Sequence, residues 1–95
     1  MTPAGDARSK QPEGGVVVGQ VTVGGHPQAE ATVMIVEGHA DHPDIAALTN
    51  EHGVYQLGGL SAGWYNIEAR FGEQTARRSV ELALGAQVQL DIAIG

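Results

Sequence analysis

Four histidines are the side chains most able to do chemistry in this 95-residue sequence: His26, His39, His42 and His52. His39 and His42 share one polar loop with Asp41 and Asp44. Imidazole and carboxylate groups together suit zinc, copper or nickel. Their spacing matches no strong metal-binding motif, and histidines in polar loops are commonly solvent-exposed. We therefore predict no bound metal, and keep His39, Asp41 and His42 as the candidate ligands of a transition-metal site.

Nucleophilic catalysis requires a nucleophile beside a base, together with a third group that orients the base. Ser61, Ser79 and the threonines lie in no G-x-S-x-G elbow or comparable motif. The loop GGLSAG (58–63) lacks the lysine and the following helix of a phosphate-binding loop. The sequence therefore predicts neither an enzyme nor a protein that holds a cofactor.

The composition narrows the possible partners. The net charge is −6 with only five basic residues, which argues against nucleic acid as a partner because phosphate contacts need clustered lysine and arginine. No apolar run approaches the roughly 20 residues of a membrane-spanning helix, so we predict no membrane insertion. The first 15 residues contain no hydrophobic segment, which predicts no signal peptide in this chain and leaves its localisation open.

Residues 1–14 are rich in proline, glycine and charge, and are predicted to form a flexible tail or linker. Residues 15–95 are predicted to form one domain. Alternating apolar residues and turn signals predict seven short strands: 16–23, 30–37, 45–50, 54–57, 64–71, 75–82 and 86–94. Short strands that follow one another at this spacing are typical of an all-β sandwich.

Two stretches carry a family resemblance. GQVTVGGHPQAEATV (19–33) resembles the G-x-V…G-x-P…G-A-x-V opening of carboxypeptidase regulatory-like domains. TNEHGVYQLGGLSAGWYNI (49–67) resembles their T-D-x-x-G-x-Y-x-L-x-x-L-x-P-G-x-Y-x-L signature. Glu30, Asn50 and Ala62 stand where that pattern has glycine, aspartate and proline.

The resemblance implies a transthyretin-like (prealbumin-like) fold, which is a seven-stranded antiparallel Greek-key β-sandwich. It also implies a non-catalytic accessory module of a larger secreted, envelope or secretion-spike protein, and therefore an extracytoplasmic location. In such a sandwich Asn50 would cap a turn and Gly53 would adopt a positive φ.

Successive strands reverse direction, so the turns with His26 and His52 should lie at one end of the sandwich. The loops 38–44 and 58–63 should lie at the other end, about 20 Å away for a six-residue strand. Trp64 has the strand phase opposite to Tyr65 and should be exposed beside those two loops. Exposed tryptophans commonly anchor protein and sugar recognition.

The predicted partner-binding surface therefore combines Trp64 with the loop histidines, two residues on the outer phase of strand 30–37 and one arginine: Trp64, His39, His42, Met34, Val36 and Arg70. The favoured function is binding of a protein partner or of a neighbouring domain of the same parent protein. The first alternative is a carbohydrate or envelope-glycan binding module. The second alternative is transition-metal binding through the 38–44 loop.

Overall fold

The computed structural model describes residues 14–38 and 46–95, and every regular element in these ranges is a β-strand. The strands follow one another in this order: β1 Gly15–Val23, β2 His26–Pro27, β3 Thr32–Gly38, β4 Ala46–Leu48, β5 Val54–Leu60, β6 Gly63–Phe71, β7 Gln74–Leu82, β8 Gln87–Gln89 and β9 Ile92–Ile94. They form two sheets around one apolar core, which confirms the predicted all-β sandwich. The described residues include no helix of the length and apolarity needed to cross a membrane.

The first sheet is organised around β1. On one side β5 pairs antiparallel with β1, and β2 extends the same side. On the other side β8 and β9 both pair parallel with β1, with Val88 opposite Val17 and Ile92 opposite Val21. The second sheet has the order β4-β3-β6-β7, and all its pairings are antiparallel.

Two details differ from the prediction of seven antiparallel strands. The predicted strand 86–94 is divided into β8 and β9 at Leu90 and Asp91, and both halves run parallel to β1. In addition, β2 forms at the predicted turn that contains His26, so the described residues contain nine strands. Local alternation indicates that a strand exists, but it does not indicate which strand it pairs with or in which direction.

The core is mainly aliphatic. Its largest aliphatic side chains are nearly inaccessible to solvent: Val17, Val21, Val33, Leu57, Leu60, Ile67, Leu82, Ile92 and Ile94. Both tyrosines also point inward. Tyr55 donates its hydroxyl to the carbonyl of Leu90, and Tyr65 donates to the carbonyl of Ser61 at 2.7 Å. Burial raises the pKa of both phenols, so both remain hydrogen-bond donors at neutral pH.

The C-terminal strands depend on Gly19 in the middle of β1. The N–H of Leu90 donates to the carbonyl of Val18 at 2.8 Å. The carbonyl of Leu90 then lies so close to Gly19 that a Cβ at this position would overlap it. Asp91 accepts a hydrogen bond from the N–H of Gln20 at 3.0 Å. Glycine is therefore needed here for close backbone approach.

The stretch TNEHG (49–53) forms the predicted capped turn. Asn50 Oδ1 accepts hydrogen bonds from the N–H groups of His52 and Val54 at 2.8 and 3.0 Å. Gly53 has a φ of 77°, and a Cβ there would come within 2.9 Å of the backbone nitrogen of Gln28. The predicted roles of Asn50 and Gly53 are both confirmed.

Thr49 connects that turn to the turn before β3. Its buried hydroxyl donates to the carbonyl of Gln28 at 2.6 Å and accepts from the N–H of Ala31 at 2.9 Å. Between these two partners, Glu30 has a φ of 62°. This left-handed conformation costs a residue with a Cβ about 1–2 kcal/mol, whereas glycine adopts it readily. Position 30 therefore keeps the backbone conformation of a glycine although its side chain is glutamate.

Replacing Gly19 with alanine should displace the C-terminal strands from β1. We expect Gly19→Ala to lower the free energy of unfolding by about 2–3 kcal/mol, because the added methyl group overlaps a backbone carbonyl. Urea denaturation measures this loss, and hydrogen exchange should show weakened protection in β8 and β9. Gly58→Ala is the matched control, since a Cβ at Gly58 meets only Val16 Cγ2 at 4.0 Å. Equal destabilisation by the two variants would contradict the role assigned to Gly19.

Replacing Glu30 with glycine should stabilise the protein. We expect Glu30→Gly to raise the free energy of unfolding by about 0.5–1 kcal/mol, because relief of the left-handed strain exceeds the entropy cost of glycine. Thermal denaturation followed by circular dichroism is the measurement. Glu30→Ala removes the same charge and keeps the strain, so it should give no such gain. A similar gain in both variants would assign the effect to charge instead.

Candidate functional site

Trp64 lies near the start of β6 and faces away from the core, as its strand phase predicted. It is 44% exposed, while its neighbour Tyr65 on the inner phase is fully buried. Glu81 of β7 lies directly opposite Trp64, and Asn66 is the next residue of β6 on the same face. Trp64 therefore lies on the solvent side of the second sheet, which we call the outer face.

Asn66 is held by both neighbouring strands. It donates through Nδ2 to Glu37 of β3 at 2.9 Å, and its Oδ1 accepts from the hydroxyl of Ser79 of β7 at 2.6 Å. These bonds cross three strands and restrain the side chains beside Trp64. We define the Trp64 surface as the group Trp64, Glu81, Asn66, Ser79 and Glu37.

A β-bulge in β3 determines which residue of that strand joins the Trp64 surface. Ile35 pairs with Ile67 and Glu37 pairs with Asn66, so Val36 is an extra residue between two pairs. Without the bulge, Glu37 would have the inward phase of Ile35. The sequence predicted that Val36 shares the outer phase of Met34, but it did not predict a bulge. The bulge is what places the carboxylate of Glu37 on the outer face.

Arg70 and Met34 belong to a different part of the outer face. Arg70 is six residues from Trp64 along β6, a separation of about 20 Å. It donates to Glu68 at 2.9 Å, and Arg77 of β7 donates to the other oxygen of Glu68 at 3.0 Å. Met34 of β3 lies opposite Glu68. The structure therefore does not bring Arg70 and Trp64 together in one site.

Glu68 is the site-like residue that sequence reasoning missed. It has the exposed phase of an alternating strand, yet it is only 5% exposed. The hydrogen bonds from Arg77 and then Arg70 hold the pKa of its carboxyl below the usual value, although burial opposes them. The turn at Gly72 and Glu73 offered a signal, since a two-residue hairpin turn places Glu68 opposite Arg77.

His26 and His52 lie at the same end of the sandwich, as the topology predicted. His26, in β2, and His52, in the turn before β5, are both exposed, and a Cβ on Gly53 would come within 3.3 Å of Pro27 Cα. That end of the sandwich is opposite to Trp64. His39, Asp41 and His42 lie outside the described residues. Within residues 14–38 and 46–95, no group of three or more histidine and acidic side chains could hold a metal ion.

A shallow hollow of about 280 Å³ lies on the outer side of the first sheet, lined by Val18, Gly19, Gln20, Val54, Gln89 and Asp91. Two of its polar groups already have partners. Asp91 accepts from the N–H of Gln20, and the side chain of Gln20 donates to the carbonyl of His52 at 2.9 Å. The hollow therefore offers an apolar floor and few unused donors.

Replacing Glu68 with glutamine should destabilise the protein in a pH-dependent way. The folded-state pKa of Glu68 lies below its unfolded value, so the ion pairs stabilise the fold above the unfolded pKa. This stabilisation is lost as the pH falls through the folded pKa. We expect Glu68→Gln to cost about 1–3 kcal/mol at neutral pH and much less in acid.

Urea denaturation at neutral and acidic pH measures the difference. Glu81→Gln is the control, because it removes an exposed carboxylate from the same face and should change stability by less than about 0.5 kcal/mol. A cost for Glu68→Gln that stays constant with pH would contradict the assigned ion pairs.

Comparison with known proteins agrees with this architecture. The family model described as the carboxypeptidase regulatory-like domain matches residues 16–95. Among solved structures, the chain is similar to the major pilin subunit of Bacillus cereus, with a TM-score of 0.68 and 12% identity over 85% of this chain and 30% of that chain. It is also similar to a DUF3823 family protein from Parabacteroides merdae, with a TM-score of 0.66 and 16% identity over 88% of this chain and 47% of that chain.

A third similar structure is a type II Cohesin-X-Dockerin complex from Acetivibrio cellulolyticus, with a TM-score of 0.61 and 18% identity over 83% of this chain and 56% of that chain. The chain therefore spans from under a third to just over half of the length of these three chains. A search of curated proteins finds no match to this sequence. Because its family model matches almost the whole of the two-sheet sandwich, the chain belongs to the family of carboxypeptidase regulatory-like domains.

Proposed function

We propose that this chain is a non-catalytic accessory module that binds a protein partner, or a neighbouring domain of its parent protein, through the Trp64 surface. The observation that carries this proposal is an exposed tryptophan on a sheet whose adjacent side chains are already ordered by hydrogen bonds across three strands. Large aromatic anchors with restrained neighbours lose little conformational entropy on binding. Such an arrangement suits recognition of a folded partner.

The comparisons support a role as one part of a larger assembly. Both the pilin chain and the Cohesin-X-Dockerin chain are longer than the matched region, and the first is a subunit while the second is part of a complex. By analogy, this module would act outside the cytoplasm, beside other domains. The likeness itself concerns the fold, so the partner has to be inferred from the side chains of this chain.

The hydrogen bonds of the described residues argue against catalysis at the Trp64 surface. The hydroxyl of Ser79 donates to an amide oxygen of Asn66, which is not a general base. His52, whose ring nitrogen lies 3.6 Å from Glu51, is at the opposite end of the sandwich. The polar groups beside Trp64 therefore form a recognition surface and not a nucleophile with its base.

Glycan binding is a second candidate function, favoured by the amide and hydroxyl groups of Asn66 and Ser79 next to the indole. Sugars usually stack on aromatic rings, while nearby amide and hydroxyl groups form hydrogen bonds with the sugar hydroxyls. Tyr55 and Tyr65 are buried, however, and Phe71 lies at the far end of β6. The Trp64 surface therefore offers one aromatic platform, enough for a single sugar ring.

Replacing Trp64 with alanine should weaken partner binding strongly without unfolding the domain. The purified chain and its Trp64→Ala variant would be used as baits in extracts of the source cells, with captured proteins quantified by mass spectrometry. Leu48→Ala is the matched control, because Leu48 is an exposed apolar residue on a different strand, with 66% of its surface accessible. Binding of each recovered protein would then be measured by calorimetry.

The expected result is a partner that is retained by Leu48→Ala and weakened at least about tenfold by Trp64→Ala, as for a typical aromatic anchor. Thermal denaturation should show that both variants fold. A partner that binds Trp64→Ala as tightly as the parent chain would exclude the Trp64 surface. A glycan array that binds the parent chain and not Trp64→Ala, with no protein partner, would favour the second candidate.

A further inference from the structure

The two ends of the outer face differ in charge. At the Arg70 end, the carboxylate of Glu68 is matched by Arg70 and Arg77. At the Trp64 end, Glu81 lies directly opposite Trp64, and Glu37 lies diagonally from it through Asn66. Among the described residues, neither Glu37 nor Glu81 forms an ion pair. The Trp64 surface therefore combines an exposed indole with two uncompensated carboxylates.

This combination has a preferred ligand chemistry. The face of an indole ring carries negative electrostatic potential and attracts ammonium and guanidinium groups. Flanking carboxylates add attraction for the same cations and repel anions. Among cationic side chains, arginine fits best because its planar guanidinium can stack on the ring and donate two hydrogen bonds to one carboxylate.

We infer that the Trp64 surface binds an arginine-bearing segment of a partner protein, with a guanidinium stacked on Trp64 between Glu37 and Glu81. This inference rests on the proposed function and names the chemistry of its partner. The net charge of −6 would also steer a basic partner toward this chain. A single arginine gains little at an exposed site, so useful affinity requires several basic residues or a larger contact around them.

The chain itself contains basic residues that the experiment must take into account. Two of its five basic residues, Arg8 and Lys10, precede Gly14. The chain enters β1 at the Trp64 end, because a Cβ on Gly15 would meet Leu82, and Leu82 lies opposite Gly63. The experiment must therefore separate a partner's arginine from the chain's own basic residues.

The probe is a short acetylated and amidated peptide of alternating glycine and arginine, compared with the same peptide carrying glutamate. Trp64 is the only tryptophan, so its fluorescence reports on this surface alone. We expect saturable quenching by the arginine peptide, weakened by added salt, and none by the glutamate peptide. Anisotropy of a labelled arginine peptide then allows comparison of variants that include Trp64→Leu.

Glu37→Gln and Glu81→Gln should each weaken arginine-peptide binding about twofold to fivefold, and Trp64→Leu should weaken it further. Glu73→Gln is the matched control, because it removes the same charge from the turn at the opposite end of β6. If Glu73→Gln weakens arginine-peptide binding equally, the weakening comes from net charge alone and the inference is overturned. Quenching by a neutral oligosaccharide such as maltotriose, with no response to the arginine peptide, would also overturn it in favour of glycan.

The chain's own basic residues give a third distinguishable outcome. If the arginine peptide binds only after the double change Arg8→Gln and Lys10→Gln, then that segment is the occupant and the partner assignment fails. The proposed function is tested separately by the bait experiment described above, and it fails if the recovered partners bind Trp64→Ala as tightly as the parent chain. If a partner requires Trp64 but the arginine peptide binds no variant, the proposed function stands and the inference of an arginine-bearing partner is wrong.

Discussion

The close approach of the Leu90 carbonyl to Gly19 is the contact on which the rest of the structure depends. It allows the C-terminal segment to run along β1 in two short parallel strands, and the same carbonyl accepts the hydroxyl of Tyr55. This arrangement places Ile92 and Ile94 in the core opposite the second sheet. β1 thereby acquires a neighbour on each side, and the inner faces of both sheets are covered. The outer face can carry charged side chains only because the inner face of the same sheet is buried in this way.

In the second sheet, hydrogen bonds between neighbouring strands restrain the side chains of the outer face. β6 has hydrogen-bonded neighbours on both sides, and each outward residue of β6 has a cross-strand partner in β3 or β7. Asn66 is bonded from both neighbours, and Glu68 is bonded twice from the arginines of β6 and β7. The bulge at Val36 adds Glu37 to the row of Asn66. An irregularity in one strand therefore changes the electrostatic character of the surface beside Trp64.

Sequence reasoning succeeded where the cause is local. Alternation predicted β1, β6 and β7 and the opposite phases of Trp64 and Tyr65, and side-chain chemistry predicted the Asn50 and Gly53 turn. It failed where the cause is a partner distant in the chain. The break at Leu90 is set by Gly19, the bulge at Val36 by the register against β6, and the burial of Glu68 by arginines on two strands. The exposure of Trp64 followed from strand phase. Its separation from Arg70 follows from the length of β6, which rises about 3.3 Å per residue. The roles of His39, Asp41 and His42 in metal or partner binding remain predictions.

The charge distribution of the outer face supports the choice of the Trp64 end as the proposed recognition surface. The carboxylate of Glu68 is already neutralised within the fold, because two guanidinium groups each donate a hydrogen bond to one of its oxygens. A ligand at that end would have to replace existing bonds and would gain little in exchange. Glu81 and Glu37 have no such intramolecular cation among the described residues, so a cation brought by a partner adds an interaction without removing one. The fold that this family shares supplies the sheet, and under the proposal made above the specificity of this chain would come from the carboxylates that its own sequence leaves uncompensated beside the tryptophan.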